Sequence, residues 1–425
     1  MSDLPPGWAQ ATVGDIASLS DGPFGSNLKT SHYVKNGPRV VRLQNIGEGV
    51  FRDEHAHITA EHFEGLRKHE VVAGDIVAAS LGDNPPRACL VPSWMGPAIV
   101  KADCIRIRPA DVMEPAFLMW MLNSRPVRLQ AAARVKGIGR PRLGLGGIRQ
   151  LDVPLPPLNE QRRIVAAIEE HLSRLDAADA SLAIAAKRLD ALHRSALASA
   201  MNGGWPRQPL GDVAQTQLGK MLSKKSKTGV GTRPYLRNKN VQWGRIDTDD
   251  LLTMDFNERE AEKFGLVSGD VLVCEGGEVG RAAIWPGQIE GCCFQKALHR
   301  VRSNGELLPE FIAYAFRWLS DRNAFDPHVT GSTIKHLPQE DLRQIPIPVP
   351  PLDEQRRIVA EIEERLGAID ALRAAIERAQ RKGAALRRLI LERAFRGELV
   401  PQDPSDEPAS ALLDRIRAER EAAST

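Results

Sequence analysis

Pro154-Leu-Pro-Pro-Leu-Asn-Glu-Gln-Arg-Arg-Ile-Val-Ala-Ala-Ile-Glu-Glu170 returns as Pro348 to Glu364, an offset of 194 residues, with changes only at Leu155/Val349, Asn159/Asp353 and Ala167/Glu361. Chance does not preserve so long a run. The period is too long for a solenoid, whose repeats run roughly 20–45 residues, and marks a duplication. The register continues in both directions, pairing Gly203 with Gly397, Gly137 with Gly331, Pro115 with Pro309 and Arg87 with Arg281. Further upstream it slips by one to three residues: Gly74-Asp75-Ile76 matches Gly269-Asp270-Val271, and Gly7-Trp8 matches Gly204-Trp205. A divergent globular half is thus followed by a near-identical segment, and the pattern then repeats. The contrast reads as joints that do one job twice and globular halves that do different ones, with unequal drift as the rival reading.

The repeated segment reads as a long helix with a sharp start. Pro154, Pro156 and Pro157, like Pro348, Pro350 and Pro351, hold the chain extended and bar an earlier start, so the proline-rich stretch is a stiff spacer. Asn159 and Asp353 fall where an N-cap belongs, with Glu160 and Glu354 at the positive end of the helix dipole. Ile164, Ile168, Leu172, Leu175, Leu182, Leu189 and Ala196 make one apolar seam. Ile358, Ile362, Leu366, Ile369, Ile376, Leu386 and Ile390 make the other, with a gap at Gly383. Each helix spans about 40 residues, or about 60 Å, before Gly203-Gly204 or Gly397 ends it. A lone helix of that length leaves its seam in water. Burial against the other copy, antiparallel by chain order, is the simplest remedy, and it sets a pseudo-twofold axis between the halves.

The composition suits an ordinary folded protein of two to three domains: 425 residues, 42% hydrophobic, 26% charged. The formal net charge of +3 excludes a histone-like polycation, so binding to nucleic acid must come from local patches. Met1-Ser2-Asp3-Leu4-Pro5-Pro6 resembles no signal peptide, and no apolar run reaches the ~18 residues of a membrane span. Cys89, Cys104, Cys274, Cys292 and Cys293 show no CxxC spacing and read as reduced core residues.

The globular halves read as α/β. Arg39–Leu43, Asp75–Ala79 and Asp270–Cys274 are strand-like, and Pro115–Asn123 and Pro309–Leu319 are helical. Each half has a basic stretch without acidic residues, with eight Lys/Arg between Gln215 and Arg245 and seven between Ala116 and Leu151. Such stretches neutralise phosphates, and Arg, Asn and Gln among them can pair with base edges. The candidates are Lys136, Arg140 and Arg142 in the first half, and Lys220, Lys224 and Lys225 in the second. Ser26, Asn27 and Lys29, like Ser332, Thr333 and Lys335, lie in glycine-led loops that let a phosphate approach the backbone. Arg42, Gln44 and Asn45, and likewise Arg237, Asn238, Lys239 and Asn240, are polar ends of strand-like runs fit for base contacts.

Catalytic patterns are missing. Asp83-Asn84-Pro85-Pro86 resembles the (N/D)PP(Y/F) motif of amino-methyltransferases, but Arg87 takes the place of the aromatic residue that stacks on a flipped base. Pro23-Phe24-Gly25-Ser26 lacks the second glycine of an AdoMet loop, no GxxxxGK[ST] occurs, and His69-Glu70 has no second His at the HExxH spacing. His55, His57 and His62 are read as an exposed polar loop, with metal binding the alternative. No metal site is expected.

PLPPLNEQRRIVAAIE and PVPPLDEQRRIVAEIE, each closing an α/β domain and opening a long helix, resemble the specificity subunit of type I restriction-modification systems. So do Arg393-Ala-Phe-Arg-Gly-Glu-Leu-Val400, Gly280-Arg281-Ala-Ala-Ile284 and Gln295-Lys296-Ala-Leu298. The resemblance implies target-recognition domains at 1–153 and 204–347, conserved helical spacers at 154–203 and 348–400, and a tail helix at 401–425. It adds Arg281 to the DNA-binding candidates. It also implies that each domain reads one half of an asymmetric bipartite site on double-stranded DNA. The helices would set the gap and dock two methyltransferase subunits, with restriction subunits as further partners. AdoMet, ATP and Mg would belong to those partners, and the chain would be a non-catalytic, cytoplasmic protein with no membrane partner. The rival readings are a self-sufficient DNA adenine methyltransferase and a coiled-coil scaffold that binds no DNA. Ala409 to Ala422, with Leu412, Leu413 and Ile416 on one face, reads as a helix suited to a partner.

Overall fold

A computed structural model describes residues 4–82, 85–137, 141–222, 229–331 and 335–424. Packing divides the chain into two units, one formed by 1–181 with 379–425 and the other by 182–378. Both long helices are continuous, Leu158–Met201 and Leu352–Ala394, and the unit boundary falls midway along each. No helix of the described residues is long and apolar enough to cross a membrane.

The first unit holds an antiparallel sheet ordered Ala17–Asp21, Cys104–Pro109, Ile76–Ala79, Arg87–Leu90. Its second sheet is ordered His57–Ile58, Tyr33–Val41, Ala98–Val100, Glu70–Val71. The second unit repeats the first sheet as Ala214–Leu218, Leu298–Ser303, Val271–Cys274, Ala282–Ile284. The duplication also extends to single bonds. Buried Asp75 takes a bidentate pair from Arg108 (2.6 and 2.7 Å), and buried Asp270 takes the same from Arg302 (2.6 and 2.7 Å).

Gln161 and Gln355, fully buried members of the repeated segment, clamp each helix start to its globular neighbour. Gln161 Oε1 accepts from Glu114 N (3.1 Å) and its Nε2 donates to Pro156 O (2.9 Å). Gln355 Oε1 accepts from Leu308 N (2.8 Å) and its Nε2 donates to Pro350 O (2.8 Å) and Glu306 O (2.7 Å). Glu114 and Leu308 are the N-caps of the helices Pro115–Leu122 and Pro309–Asp321. The expected capping by Asn159 and Asp353 is corrected. Both helices already begin at Leu158 and Leu352, so Asn159 and Asp353 lie inside the first turn, and the Asn159 amide instead donates to Asp406 (3.1 Å).

Within the first unit the helix segments pair antiparallel, with Gly383 beside Asp179 and Arg387 against Asp176 (2.5 Å) and Asp179 (3.1 Å). In the second, Arg373 meets Asp190 (2.8 Å), while Leu197 and Met201 share a core with Ile358 and Ile362. The seam is not evenly apolar. Ile164, Ile168, Ile358 and Ile362 are wholly buried against their domains, but Leu386 is 38% exposed where aspartate–arginine pairs take over. Gly383 does not interrupt its helix.

The tail helix, Ala409–Ser424, corrects another expectation. Leu412, Leu413 and Ile416 are buried in the first unit's own core, and Arg420 donates to Gly14 O (2.7 Å), so this apolar face is not offered to a partner. Asp406 pairs with Arg163 (2.7 Å). Glu160, pushed above the usual carboxylate range by burial, accepts from Trp8 Nε1 (3.0 Å) and Gln402 (3.3 Å). All five cysteines are free and buried, and desolvation raises Cys89, Cys104 and Cys292 to about 12.

Candidate nucleic-acid interface

In the first unit's main sheet Asp21 lies opposite Ile105, and Ala79 lies opposite both Cys104 and Arg87. Antiparallel pairing therefore sends the segments 22–32, 101–103 and 80–86 out from one end of the sheet. Gly22 is packed so closely on this end that a Cβ would lie 2.2 Å from the Lys101 carbonyl carbon, which only glycine tolerates. The loop after Ala132 joins them. Leu81 bridges to Arg142, Leu143 N donates to Ser80 O (2.9 Å), and Lys136 and Arg142 exchange backbone bonds (3.0 and 2.8 Å). Beside that loop a cleft of about 670 Å³ is lined by Arg134, Lys136, Arg142 and Gln150 among glycines, with no acidic residue among the described residues that line it.

The second unit repeats the arrangement. Leu218 faces His299, Cys274 faces Leu298 and Val273 faces Ala282, so 219–231, 295–297 and 275–281 leave from the equivalent end. Gly219 crowds Gln295 O as Gly22 crowds Lys101. Gly276 bridges to His336, Leu337 N donates to Glu275 O (2.8 Å), and Thr330 and His336 exchange backbone bonds.

The sequence-derived candidates divide into three groups. Asn27, Lys29, Gln44, Lys136, Lys239 and Lys335 are exposed at these loop ends, Lys239 paired with Asp250 and Lys335 with Asp326 (2.9 Å). Arg142 is half-buried, paired with Asp103 and 5.7 Å from the Phe24 ring. A second group has its side chains engaged within the fold. Asn45 and Asn240 are buried and use both amide atoms on the backbone of their own turns. Arg42 donates to His55 O (3.1 Å), Arg237 to Asp250 O (2.6 Å), and Arg281 to Asn238 Oδ1 (2.7 Å). Asn238 also donates to Gly276 O (2.7 Å). Lys220 donates to Asp255 O (2.6 Å) and Glu260 (2.7 Å), which holds the Glu260 carboxyl below its usual range. The third group, Arg140, Lys224, Lys225, Ser332, Thr333 and the Ser26 side chain, lies outside the described residues, as do Asp83 and Asn84.

Several exposed residues at the same sheet ends were missed. Phe24 is 47% exposed, three residues beyond the strand, and Met221, three beyond the equivalent strand, is 63% exposed. Lys296 is exposed as well. Their signal was the repeat itself, read through its slipping offset. The histidines do not converge, since His55 adjoins His57 whereas His62 turns to His32 and Asn27 O. Among the described residues no group of three or more His, Cys, Asp or Glu is arranged to hold a metal ion.

A family model described as the type I restriction modification DNA specificity domain matches residues 5–183 and again 202–381. The specificity subunit of the type I restriction enzyme EcoKI of Escherichia coli K12 is 25% identical, over 99% of this chain and 97% of its own length. The StySPI specificity subunit of Salmonella potsdam is 23% identical, over 98% and 96%. Among solved structures, a chain from work on assembly and conformational transition of the type I R-M system superposes with a TM-score of 0.73 at 23% identity, covering 94% of this chain and all (100%) of that one. The HsdS subunit from Thermoanaerobacter tengcongensis gives 0.57 at 22%, covering 93% and 98%.

Proposed function

Because this chain belongs to the family of type I restriction-modification DNA specificity proteins, we propose that it is the DNA-reading subunit of such a complex. In this reading each domain presents its sheet-end loops to one half of an asymmetric, bipartite duplex site. The observation that carries it is the duplication of one loop-bearing sheet end, on matching scaffolds, with different side chains at the surface. A long paired helix is stiff enough to fix the gap between half-sites. The long helices leave Ile184, Leu192, Leu372 and Leu389 exposed, and in this reading two methyltransferase subunits dock on these helices.

The chemistry then belongs to the partners. Methyltransferase subunits flip and methylate adenine with AdoMet, and restriction subunits cut unmodified DNA with ATP and Mg, while this chain positions them in the cytoplasm. The test is a genome-wide map of N6-methyladenine with and without the gene. Loss of methylation at one gapped, two-part motif supports the reading. An unchanged map refutes it, AdoMet binding by the isolated chain would favour a self-sufficient enzyme, and absence of salt-dependent DNA affinity would favour a scaffold.

A further inference from the structure

Both domains build one small turn with the same bonds and place different side chains on its crest. In the first, Arg42 N donates to Asn45 Oδ1 (2.8 Å) and Asn45 Nδ2 donates to Arg52 O (2.9 Å) and Glu54 O (2.7 Å). In the second, Arg237 N donates to Asn240 Oδ1 (2.9 Å) and Asn240 Nδ2 donates to Asp247 O (3.0 Å) and Asp250 O (3.3 Å). The entering arginines share one backbone conformation, φ −120°, ψ 168° at Arg42 and φ −116°, ψ 168° at Arg237. A further guanidinium braces each turn from beneath. Arg87 donates to Ile46 O (2.7 Å) and Leu43 O (3.3 Å), and Arg281 donates to Asn238 O (3.2 Å). With the closing asparagine buried in both copies, the turn is set before any ligand arrives.

Within the shared Arg-x-x-Asn the two crest positions differ: Leu43-Gln44 in the first domain, Asn238-Lys239 in the second. Gln44 and Lys239 are exposed. Asp250 pairs with Lys239 and with Arg237, directing the ammonium across the turn, and His55 stands at that place in the first domain. We propose that this crest is the specificity-determining position of each recognition domain, with Gln44 selecting an adenine in one half-site and Lys239 a guanine in the other. The proposal rests on the DNA-reading function above. Discrimination between bases needs a donor and acceptor held in a fixed place, whereas a loosely held lysine is adequate for a phosphate. A glutamine amide matches N6 and N7 of adenine, and a lysine ammonium donates to O6 and N7 of guanine.

The test is complementation of a deletion strain with Gln44→Ala and with Lys239→Ala, followed by methylome mapping. Each substitution is expected to relax one base of one half-site, erasing a roughly 5- to 150-fold preference, and to leave the other half unchanged. Gln44→Glu keeps the shape and should move the preference toward cytosine, whose N4 donates, which provides a second variant if Gln44→Ala fails to accumulate. Unchanged motifs in all variants overturn the proposal. Loss of all methylation by a variant that melts at the wild-type temperature also overturns it, because the residue then serves affinity or assembly. If the wild-type gene restores no gapped motif, the DNA-reading function itself fails.

Discussion

Replacing Gln355 by alanine should cost the second unit more than almost any other polar substitution. The side chain is fully buried and makes three bonds, accepting from Leu308 N (2.8 Å) and donating to Pro350 O (2.8 Å) and Glu306 O (2.7 Å). Alanine strands one backbone donor and two acceptors. Each stranded group costs about 1–3 kcal/mol, and water entering the space recovers part of it, so the net loss is roughly 3–5 kcal/mol. Gln161→Ala strands Glu114 N and Pro156 O and should cost roughly 2–4 kcal/mol in the first unit. Gln355→Met fills the volume without the bonds and separates packing from hydrogen bonding. The assay is urea unfolding followed by circular dichroism, with calorimetry to resolve the transitions. A loss below about 1 kcal/mol for both Gln355→Ala and Gln355→Met would show that the clamp contributes little, and the joint would need another explanation.

Burial pushes His299 down to about 4 from 6.5, although Leu337 O accepts from its Nε2 (2.8 Å). The unfolded chain takes up a proton between those values and the folded one does not. Stability should therefore be full above pH 6.5 and fall by roughly 3 kcal/mol as pH drops toward 4, and His299→Leu should flatten the urea midpoint between pH 7 and 4.5. The cysteine thiols, raised to about 11 or about 12, should resist DTNB at pH 8 until the protein is unfolded, when five react; rapid labelling of the native protein would contradict their burial. Lys224→Glu with Lys225→Glu should weaken DNA binding across sequences and lower the magnitude of the salt slope by about 2, and an unchanged slope removes that stretch from the interface. Ile416→Asp buries a carboxylate where the side chain is 1% exposed, so trypsin should release the tail helix early; wild-type resistance would count against its docking.

The duplication, the two long helices and their antiparallel sense were legible because each is a periodic or repeated property of the sequence. A 3.6-residue apolar pattern after a proline brake admits few other conformations, and two copies in one chain specify how they pair. The basic stretches were legible too, since charge is additive along a sequence. What Arg42, Asn45, Lys220 or Arg281 does with its polar atoms was not. That depends on which carbonyl or carboxylate the folded chain brings within reach, up to 13 residues away for Arg42 and Asn45 and 35 to 43 residues away for Lys220 and Arg281, and the residue types alone do not record it. The same holds for Leu412 and Ile416, whose apolar face is identical whether it meets a partner or the protein's own first domain. Sequence determined the elements and their repetition, because short-range sterics and hydrophobic periodicity are local. Tertiary structure alone decided which polar groups are consumed in building the turns and which, like Gln44 and Lys239, are left exposed at the surface.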